Sequence, residues 1–428
     1  MATDVDVQYF SHLNGLILGN NWGDLIRVLD KVLVTGINFT QITAASIDAQ
    51  GDVHITLFAV HNAMLFQVVE LSGFTPNALN QKYRIKGVPN TTQLILKPAL
   101  DITERSITTT GNGKLASLGY DIIFRDTNDV KRVYRAKNPT AQHPFIRVDE
   151  SLASPDGSSG VYNSTYAKFA MVGLLEHMDH IDDFDDPNLL QLPFDPSNPS
   201  KNWEITGTGT SVVRGWSRWY WARNADTADY VSADSDQPLN GTGAFSIFGD
   251  GGAFYIVSAY RANAVTPKVI MGCGLYGTSI RSSLVNSWFL MAQWSGHQAN
   301  VRYRAGDILG GCPLTYNQAG FSFITTNFNE STPLSHSLQG LPIIPDYLTG
   351  YSGMFNANSV SALEVPFRDV NGYLRGTLKH LLYAGKNLSN IGVTTPLITD
   401  KSMYIADTVY VSGMYNIGGI YAYLGELE

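Results

Sequence analysis

The residues whose types best suit chemistry form one short cluster near the middle of the chain. The segment EHMDHIDD contains Glu176, His177, His180 and Asp182, and further aspartates follow it. Two imidazoles three residues apart among carboxylates can ligate Zn²⁺ or another divalent ion, because both groups are metal donors. The spacing matches neither HExxH nor an EF-hand loop, and a strand running into a solvated acidic loop explains the cluster without a metal. The structural interpretation is favoured, and these four residues remain candidates for a metal site. No cofactor is expected.

The other histidines do not extend this cluster into a catalytic template. They are scattered along the chain, although a triad assembled in space stays open. The sequence contains no G-x-S-x-G elbow, no P-loop and no dinucleotide-binding glycine pattern after a strand. The GTGTS stretch at 207–211 is interpreted as a turn, since neither a lysine nor a helix pattern follows it. We therefore expect no enzyme, with a metal-dependent hydrolase built on Glu176, His177 and His180 as an alternative.

The densest run of aromatic side chains, RGWSRWYWAR, is the strongest candidate for a contact surface. In a strand, Trp219 and Trp221 face one side and Trp216 faces the other, so both faces carry rings. One face can fill a core. The other, flanked by arginines, can contact a partner or stack on a carbohydrate, since Trp and Arg are common hot spots. Core packing is the favoured role, and the interface candidates are Trp22, Trp216, Arg218, Trp219 and Trp221.

Composition indicates a folded globular protein with a surface suited to contacts. The 428 residues are 44% hydrophobic and only 15% charged, with 22 Tyr. Tyr gives a large, rigid contact area at small entropic cost, although the β-strand preference of Tyr explains the same abundance. The net charge of −8 argues against a nucleic-acid partner. No signal-peptide pattern and no membrane-length apolar stretch is present, and the two cysteines fit a reducing cytoplasm.

Periodicity predicts one helix and many short strands. In WGDLIRVLDKVLVTG, apolar residues recur at three- and four-residue spacing before Gly36, which predicts a helix. Strands are predicted in DVHITLFAV, MLFQVVELSG, KYRIKGV and TQLILKPAL, a hairpin in YDIIFRD and VKRVYRA, and further β-like runs beyond residue 202. The predicted fold is mainly β, with an N-terminal helix, a small β-barrel or sandwich module and a larger antiparallel β-sandwich with long loops. The predicted units are a helical arm at 1–38, a small β domain at 39–105, a hairpin and connecting region at 106–190, and a sandwich domain with C-terminal strands at 191–428.

Two sets of motifs resemble structural proteins of tailed-bacteriophage virions. The stretch HNAMLFQVVELSGFTPNALNQKYRIKGVPNTTQLIL is similar to a β-module of phage tail and baseplate proteins. A second resemblance runs through an R-x-D strand, a segment with Gly, Glu, Met and Asp, and a D-x-x-x-F-Y strand. Its matching positions are Arg147, Asp149, Gly173, Glu176, Met178, Asp182, Asp250, Phe254 and Tyr255. The resemblance implies a place in the tail, baseplate, neck or head decoration, and it brings no catalytic residues with it.

The expected function is therefore structural. The expected partners are other virion proteins and further copies of the same chain, in a virion assembled in the host cytoplasm. No nucleic-acid or membrane partner is expected. The alternative from another class is a receptor-binding adhesin that holds a host-surface glycan with the Trp-rich strand and its loops.

Overall fold

The computed structural model describes most of the chain. The described residues are 3–151, 165–203, 205–206, 213–214, 217–223, 237–259, 261–265, 268–279, 286–294, 321–327, 334–344, 362–385, 394–412 and 416–427. Strands account for 48% and helices for 7% of the structure. The prediction of a mainly β protein with antiparallel sheets and one short helix near the N-terminus is confirmed. Across the described ranges, no helix has the length and apolar character needed to cross a bilayer.

Strands are numbered in chain order. The earlier ones are β1 Gln8–Ser11, β2 Ile37–Asn38, β3 Ile42–Ile47, β4 Val53–Leu57, β5 Val68–Ser72, β6 Lys82–Asn90, β7 Gln93–Pro98, β8 Asn112–Leu115, β9 Tyr120–Arg125, β10 Lys131–Ala136, β11 Phe145–Asp149, β12 Lys168–Leu175, β13 Gln191–Leu192, β14 Ile205–Thr206, β15 Val213–Arg214 and β16 Ser217–Ala222. The later ones are β17 Phe245–Gly249, β18 Ala253–Ser258, β19 Val269–Leu275, β20 Trp288–Met291, β21 Phe323–Thr325, β22 Leu338–Pro342, β23 Leu363–Asp369, β24 Leu374–Gly385, β25 Thr395–Thr399, β26 Ser402–Ser412 and β27 Asn416–Glu426. The helical elements are α1 Asp24–Leu29, a π-helical segment Asp30–Thr35, and 3-10 helices at His12–Asn14, Asn77–Leu79 and Pro199–Trp203.

These strands form three large antiparallel sheets. A seven-stranded sheet has the order β2-β8-β5-β6-β7-β4-β3, and a six-stranded sheet has the order β13-β12-β11-β10-β9 with β16 beside β12. A twelve-stranded sheet has the order β1-β17-β18-β19-β20-β21-β22-β23-β24-β27-β26-β25, and β14 pairs with β15 in a separate two-stranded sheet. The predicted hairpin is β9 with β10, in antiparallel register. Strand β1 joins the twelve-stranded sheet and β8 joins the seven-stranded sheet. The division of the chain into four domains stays a prediction.

The predicted helix near the N-terminus is present, but its second half is π-helical. Leu25, Ile26 and Leu29 of α1 are buried, as the periodicity requires. The helix ends at Gly36, where φ is +74° and an added Cβ would lie 2.1 Å from a backbone oxygen, so only glycine fits. Both carboxylate oxygens of the buried Glu150 accept backbone N–H groups at the start of α1. Burial raises the pKa of Glu150 to about 8, against the effect of those two donors.

The twelve-stranded sheet is buried on both faces where its first strands lie. In β18, Phe254 packs into the core shared with α1, the seven-stranded sheet and the six-stranded sheet. Tyr255 packs into the core that includes residues of β23, β24, β26 and β27. Alternate side chains of a strand point to opposite faces. A strand covered on both faces must be apolar throughout, and AFYIVS is such a run.

One buried arginine holds the N-terminal segment and strand β27 against the seven-stranded sheet. Arg84 of β6 donates to the backbone oxygens of Asp4, Val7, Phe66 and Leu424. Burial lowers the pKa of Arg84 to about 10. The guanidinium has five N–H donors in a fixed planar geometry, so it can bind several carbonyls at once. These contacts fix the N-terminal segment and β27 against β6.

Candidate interaction surface

Residues 176–190, which we call the histidine–aspartate loop, are anchored to the six-stranded sheet by one arginine. Arg147 of β11 donates through Nε to the oxygen of Ile181 at 2.7 Å. Its Nη1 lies 3.0 Å from Oδ2 of Asp149, and its Nη2 lies 2.7 Å from Oδ1 of Asp182. Lys131 contacts the same oxygen of Asp182 at 3.1 Å. Three positions of the virion-protein resemblance, Arg147, Asp149 and Asp182, therefore meet in a single ion-pair cluster.

Packing around this cluster explains two more of the resemblance positions. The guanidinium of Arg147 lies over the ring of Trp203 at 4.3 Å, a cation–π contact. Gly173 is opposite that ring, and an added Cβ would come within 2.8 Å of it. Met178 is buried against the same face of the sheet. Burial alone would raise the pKa of Asp182, but the hydrogen bonds from Arg147 and Lys131 lower it below its ordinary value.

The four metal candidates do not converge. Oε2 of Glu176 accepts the N–H of Leu190 at 3.4 Å, and Nε2 of His177 lies 3.0 Å from an oxygen of Asp179 on the surface. Nδ1 of His180 accepts the N–H of Asp182 at 3.3 Å. Nowhere in the described ranges do three His, Cys, Asp or Glu side chains meet in a geometry that could hold a metal ion. Their contacts in this structure hold the shape of the loop.

The Trp-rich strand lies inside the protein. Trp219 and Trp221 of β16 are buried in the large core, so neither ring has a free face for stacking on a sugar. Trp22 packs edge-on against Trp221, with ring centroids 6.2 Å apart. Arg218 is also buried, and its guanidinium lies over the ring of Tyr220. Trp216 and the GTGTS stretch lie outside the described residues, and the interface role of all these residues stays a prediction.

The last motif of the resemblance forms a tight turn between β17 and β18. Oδ1 of Asp250 accepts the N–H groups of Gly252 and Ala253, and Oδ2 lies 2.9 Å from Nε2 of His380 on β24. Burial is the largest single effect and would raise the pKa of Asp250, but the hydrogen bond and charge of His380 together with the two backbone donors lower it to about 2. The turn is thereby fastened to the C-terminal part of the sheet.

A different region presents an exposed apolar surface. The hairpin between β23 and β24 ends in Val370, Tyr373 and Leu374, whose exposed fractions are 47%, 65% and 68%. We call residues 369–375 the hairpin tip. Single exposed apolar residues are common on protein surfaces, but three of them share this short turn, which makes it a candidate contact surface.

Internal hydrogen bonds hold the backbone of the hairpin tip. Oδ1 of Asp369 accepts the N–H groups of Asn371 and Tyr373, at 2.9 and 3.1 Å. The backbone oxygen of Asp369 accepts the N–H of Gly372, and the N–H of Val370 donates to β22. Gly372 has a φ of +89°, which glycine adopts without strain. The turn is therefore ordered before any partner binds.

A buried ion pair fixes the base of the same tip. Nη1 of Arg375 lies 3.3 Å from Oδ2 of Asp369, and both side chains are almost fully buried. Nη2 of Arg375 also donates to the hydroxyl of Tyr276 and to the backbone oxygen of Thr326. The sequence did carry a signal for this turn: Asn371-Gly372 between apolar residues is typical of a hairpin. The sequence analysis places this stretch in the predicted sandwich domain with C-terminal strands at 191–428 and predicts no contact surface there.

Comparison with known proteins gives little. No family model matches the sequence, and no curated protein matches it. One similar solved structure is described as phage phi92 endosialidase, with 11% identity and a TM-score of 0.14. The alignment covers 92% of this chain and 51% of that one, so the chain spans about half the length of the endosialidase. A TM-score this low does not indicate a shared fold.

Proposed function

We propose that this protein is a structural component of a tailed-phage virion, in the tail, baseplate, neck or head decoration. It acts by binding other virion proteins and further copies of itself, and it catalyses no reaction. The motif resemblance supports the setting. The hairpin tip is the single observation that carries the mode of action.

The hairpin tip has the properties of an interface anchor. Tyr373 offers an aromatic ring with a hydroxyl, and Leu374 and Val370 add apolar area on the same turn. Aromatic residues surrounded by apolar contacts dominate the binding energy of many interfaces. Because Asp369 and Arg375 already hold the turn, binding does not have to order this backbone. A partner with an apolar pocket can therefore gain most of the burial energy.

The geometry of the histidine–aspartate loop supports a non-catalytic role. Asp182 is paired with Arg147 and Lys131, and the imidazole of His180 accepts a backbone hydrogen bond. These contacts use the carboxylate of Asp182 and Nδ1 of His180 to hold the loop. The loop is better described as a folded cover on the six-stranded sheet.

Particle composition tests the proposal. We expect quantitative mass spectrometry of purified virions to find the protein in several copies per particle, and cryo-electron microscopy to place the hairpin tip against a neighbouring subunit. Absence of the protein from purified particles would refute the virion role. A particle in which Tyr373 and Leu374 face solvent would refute the anchor.

A further inference from the structure

A group of basic side chains lies where the six-stranded and twelve-stranded sheets meet. Arg135 is on β10, His143 is on the loop between β10 and β11, and Lys379 is on β24. All three are half-buried. The indole N–H of Trp288 donates to the backbone oxygen of Gln142 at 2.7 Å, so the loop is held against the twelve-stranded sheet. We call Arg135, His143 and Lys379 the cationic cluster.

The guanidinium of Arg135 is held in place but its charge is not balanced. It lies over the ring of Phe145, 4.4 Å from the ring centre, and its Nε donates to the backbone oxygen of His143 at 3.3 Å. Burial lowers the pKa of Arg135. Within the described ranges, this guanidinium forms no ion pair and its Nη atoms have no acceptor. Those atoms can donate two parallel hydrogen bonds to a carboxylate or a phosphate.

The imidazole of His143 lies close to both cations of the cluster. Its Nδ1 accepts the N–H of Thr140 at 2.9 Å, so the neutral ring carries its proton on Nε2. Burial lowers the pKa of His143, and the charges of Lys379 and Arg135 lower it further, against the opposing effect of Asp250. Lys379 has no ion-pair partner in the part of the chain that the structure describes. The cluster therefore brings three N–H donors and two permanent positive charges together.

The carboxylate that acts on His143 is already bound elsewhere. Oδ1 of Asp250 accepts two backbone N–H groups, and Oδ2 pairs with His380. The ammonium of Lys379 lies beside the same turn, since an added Cβ on Gly252 would be 3.6 Å from its Nζ. Two permanent cations beside one carboxylate leave a net positive charge, which favours the binding of an anion.

The backbone of β24 departs from a regular strand where it carries Lys379 and His380. The register with β23 shifts there, so that residues 378–381 lie beside Val365 alone. His380 has a φ of +62°, which is uncommon for a residue other than glycine. Bulges redirect side chains, and both bulges and unusual backbone angles concentrate at functional sites. The shift places Lys379 and His380 next to the turn at 250–253.

We infer that the cationic cluster is a binding site for an oxyanion, the carboxylate or phosphate group of a small ligand. Arg135 donates two parallel hydrogen bonds to the anion, and Lys379 and Nε2 of His143 donate one each. The negative charge of the ligand balances the two cations. Because the donors come from two sheets, the bound anion also links those sheets. The inference goes beyond the proposed function and does not depend on it.

Isothermal titration calorimetry of the full chain with inorganic phosphate, and separately with citrate, tests the inference. We expect saturable binding of at least one of them, and the tighter one shows whether the site prefers phosphate or carboxylate. Lys379→Met should weaken that binding by about tenfold or more, because a charge-assisted hydrogen bond is lost. Lys97→Met is the matched control, because Lys97 is also half-buried but lies on β7; it should leave binding unchanged. No binding of either anion, or equal losses in the two variants, would overturn the inference.

Thermal unfolding gives an independent readout. A ligand that binds the folded state raises the melting temperature, so phosphate at low concentration should raise it more than sodium chloride of the same ionic strength. Arg135→Met should lose this extra rise, and Lys97→Met should keep it; circular dichroism in chloride alone checks that both variants are folded. An equal extra rise in wild type and Arg135→Met would sink the site. Failure of the site leaves the virion role standing, and absence of the protein from virions leaves the site standing.

Discussion

In the histidine–aspartate loop at 176–190 and in the hairpin tip at 369–375, the structural role differs from the role that the residue types suggest. The loop carries imidazoles and carboxylates, the usual materials of an active site, yet its key carboxylate is bound to Arg147 and Lys131. The tip carries Val370 and Tyr373, the usual materials of a core, yet both are exposed. Each region depends on one buried arginine that binds an aspartate. In the first region the arginine holds a loop that covers the six-stranded sheet. In the second region the arginine supports an exposed turn.

In both regions the type of a residue suggests a role, whereas the partners of that residue decide it. A carboxylate with two cationic neighbours is already satisfied, so it has little to offer a metal. An apolar side chain that finds no cover within its own chain gains free energy when another protein covers it.

Removing the anchor of the loop should have the largest effect. Arg147→Met leaves the buried carboxylate of Asp149 unpaired, and we expect a loss of about 3–5 kcal/mol in the free energy of unfolding. Lys131→Met removes only the partly exposed contact with Asp182 and should cost less than about 1 kcal/mol. Urea denaturation of both variants measures the difference. Equal losses would show that Arg147 does not anchor the loop.

Changing the surface of the tip should affect binding and spare folding. Tyr373→Ser with Leu374→Ser removes exposed side chains, so the free energy of unfolding should change by less than about 0.5 kcal/mol. Binding to particles that lack the protein should weaken by about 30-fold, the effect of losing a hot spot of about 2 kcal/mol. Leu100→Ser is the control, because Leu100 is 69% exposed but lies on another turn. Similar losses in both variants would argue against a specific anchor.

Acid should remove the ion pair in the loop. The folded-state pKa of Asp182 lies below its ordinary value of 3.8, so its contribution is complete above that pH and disappears as the pH falls below it. Wild type should exceed Asp182→Asn in stability at pH 7, by less than about 1 kcal/mol because water screens the partly exposed pair. The difference between the two proteins should shrink as the pH falls below 3.8. A gap that widens in acid would contradict the pairing.

Removing a histidine from the loop should have the smallest effect. His177 is exposed; it contacts Asp179 and its ring lies edge-on to Phe145, with centroids 6.1 Å apart. Because both contacts are at the surface, His177→Ala should change the free energy of unfolding by less than about 0.5 kcal/mol. Zn²⁺ should not raise the melting temperature of either protein. A Zn²⁺-dependent rise in wild type that is lost in His177→Ala would reinstate the metal site.

Much of the fold could be predicted because it is encoded locally. The alternation in YDIIFRD and VKRVYRA corresponds to β9 and β10, and the apolar spacing before Gly36 corresponds to α1. The division of the helix into α and π halves has no equally local signal. Gly36 helps to explain its end, since the close approach of a neighbouring strand leaves no room for a Cβ.

The sites were harder to predict because they depend on contacts between distant segments. Asp182 is 35 residues from Arg147, and nothing in the local pattern pairs them. Trp219 and Trp221 are buried because the six-stranded sheet packs on the large sheet, which no single strand reveals. At the hairpin tip, Asn371-Gly372 indicated a turn, but apolar residues such as Leu374 suggest a core by their type alone.

The proposal that the hairpin tip anchors the protein in a virion can be tested by measuring how much of the tip variant enters particles. Phage lacking the gene is propagated in cells that supply either the wild-type protein or Tyr373→Ser with Leu374→Ser, and the protein in purified particles is quantified by mass spectrometry. We predict that wild type is incorporated and that the folded double variant is reduced about tenfold or more. Equal incorporation of the two proteins, or absence of both, would contradict the account.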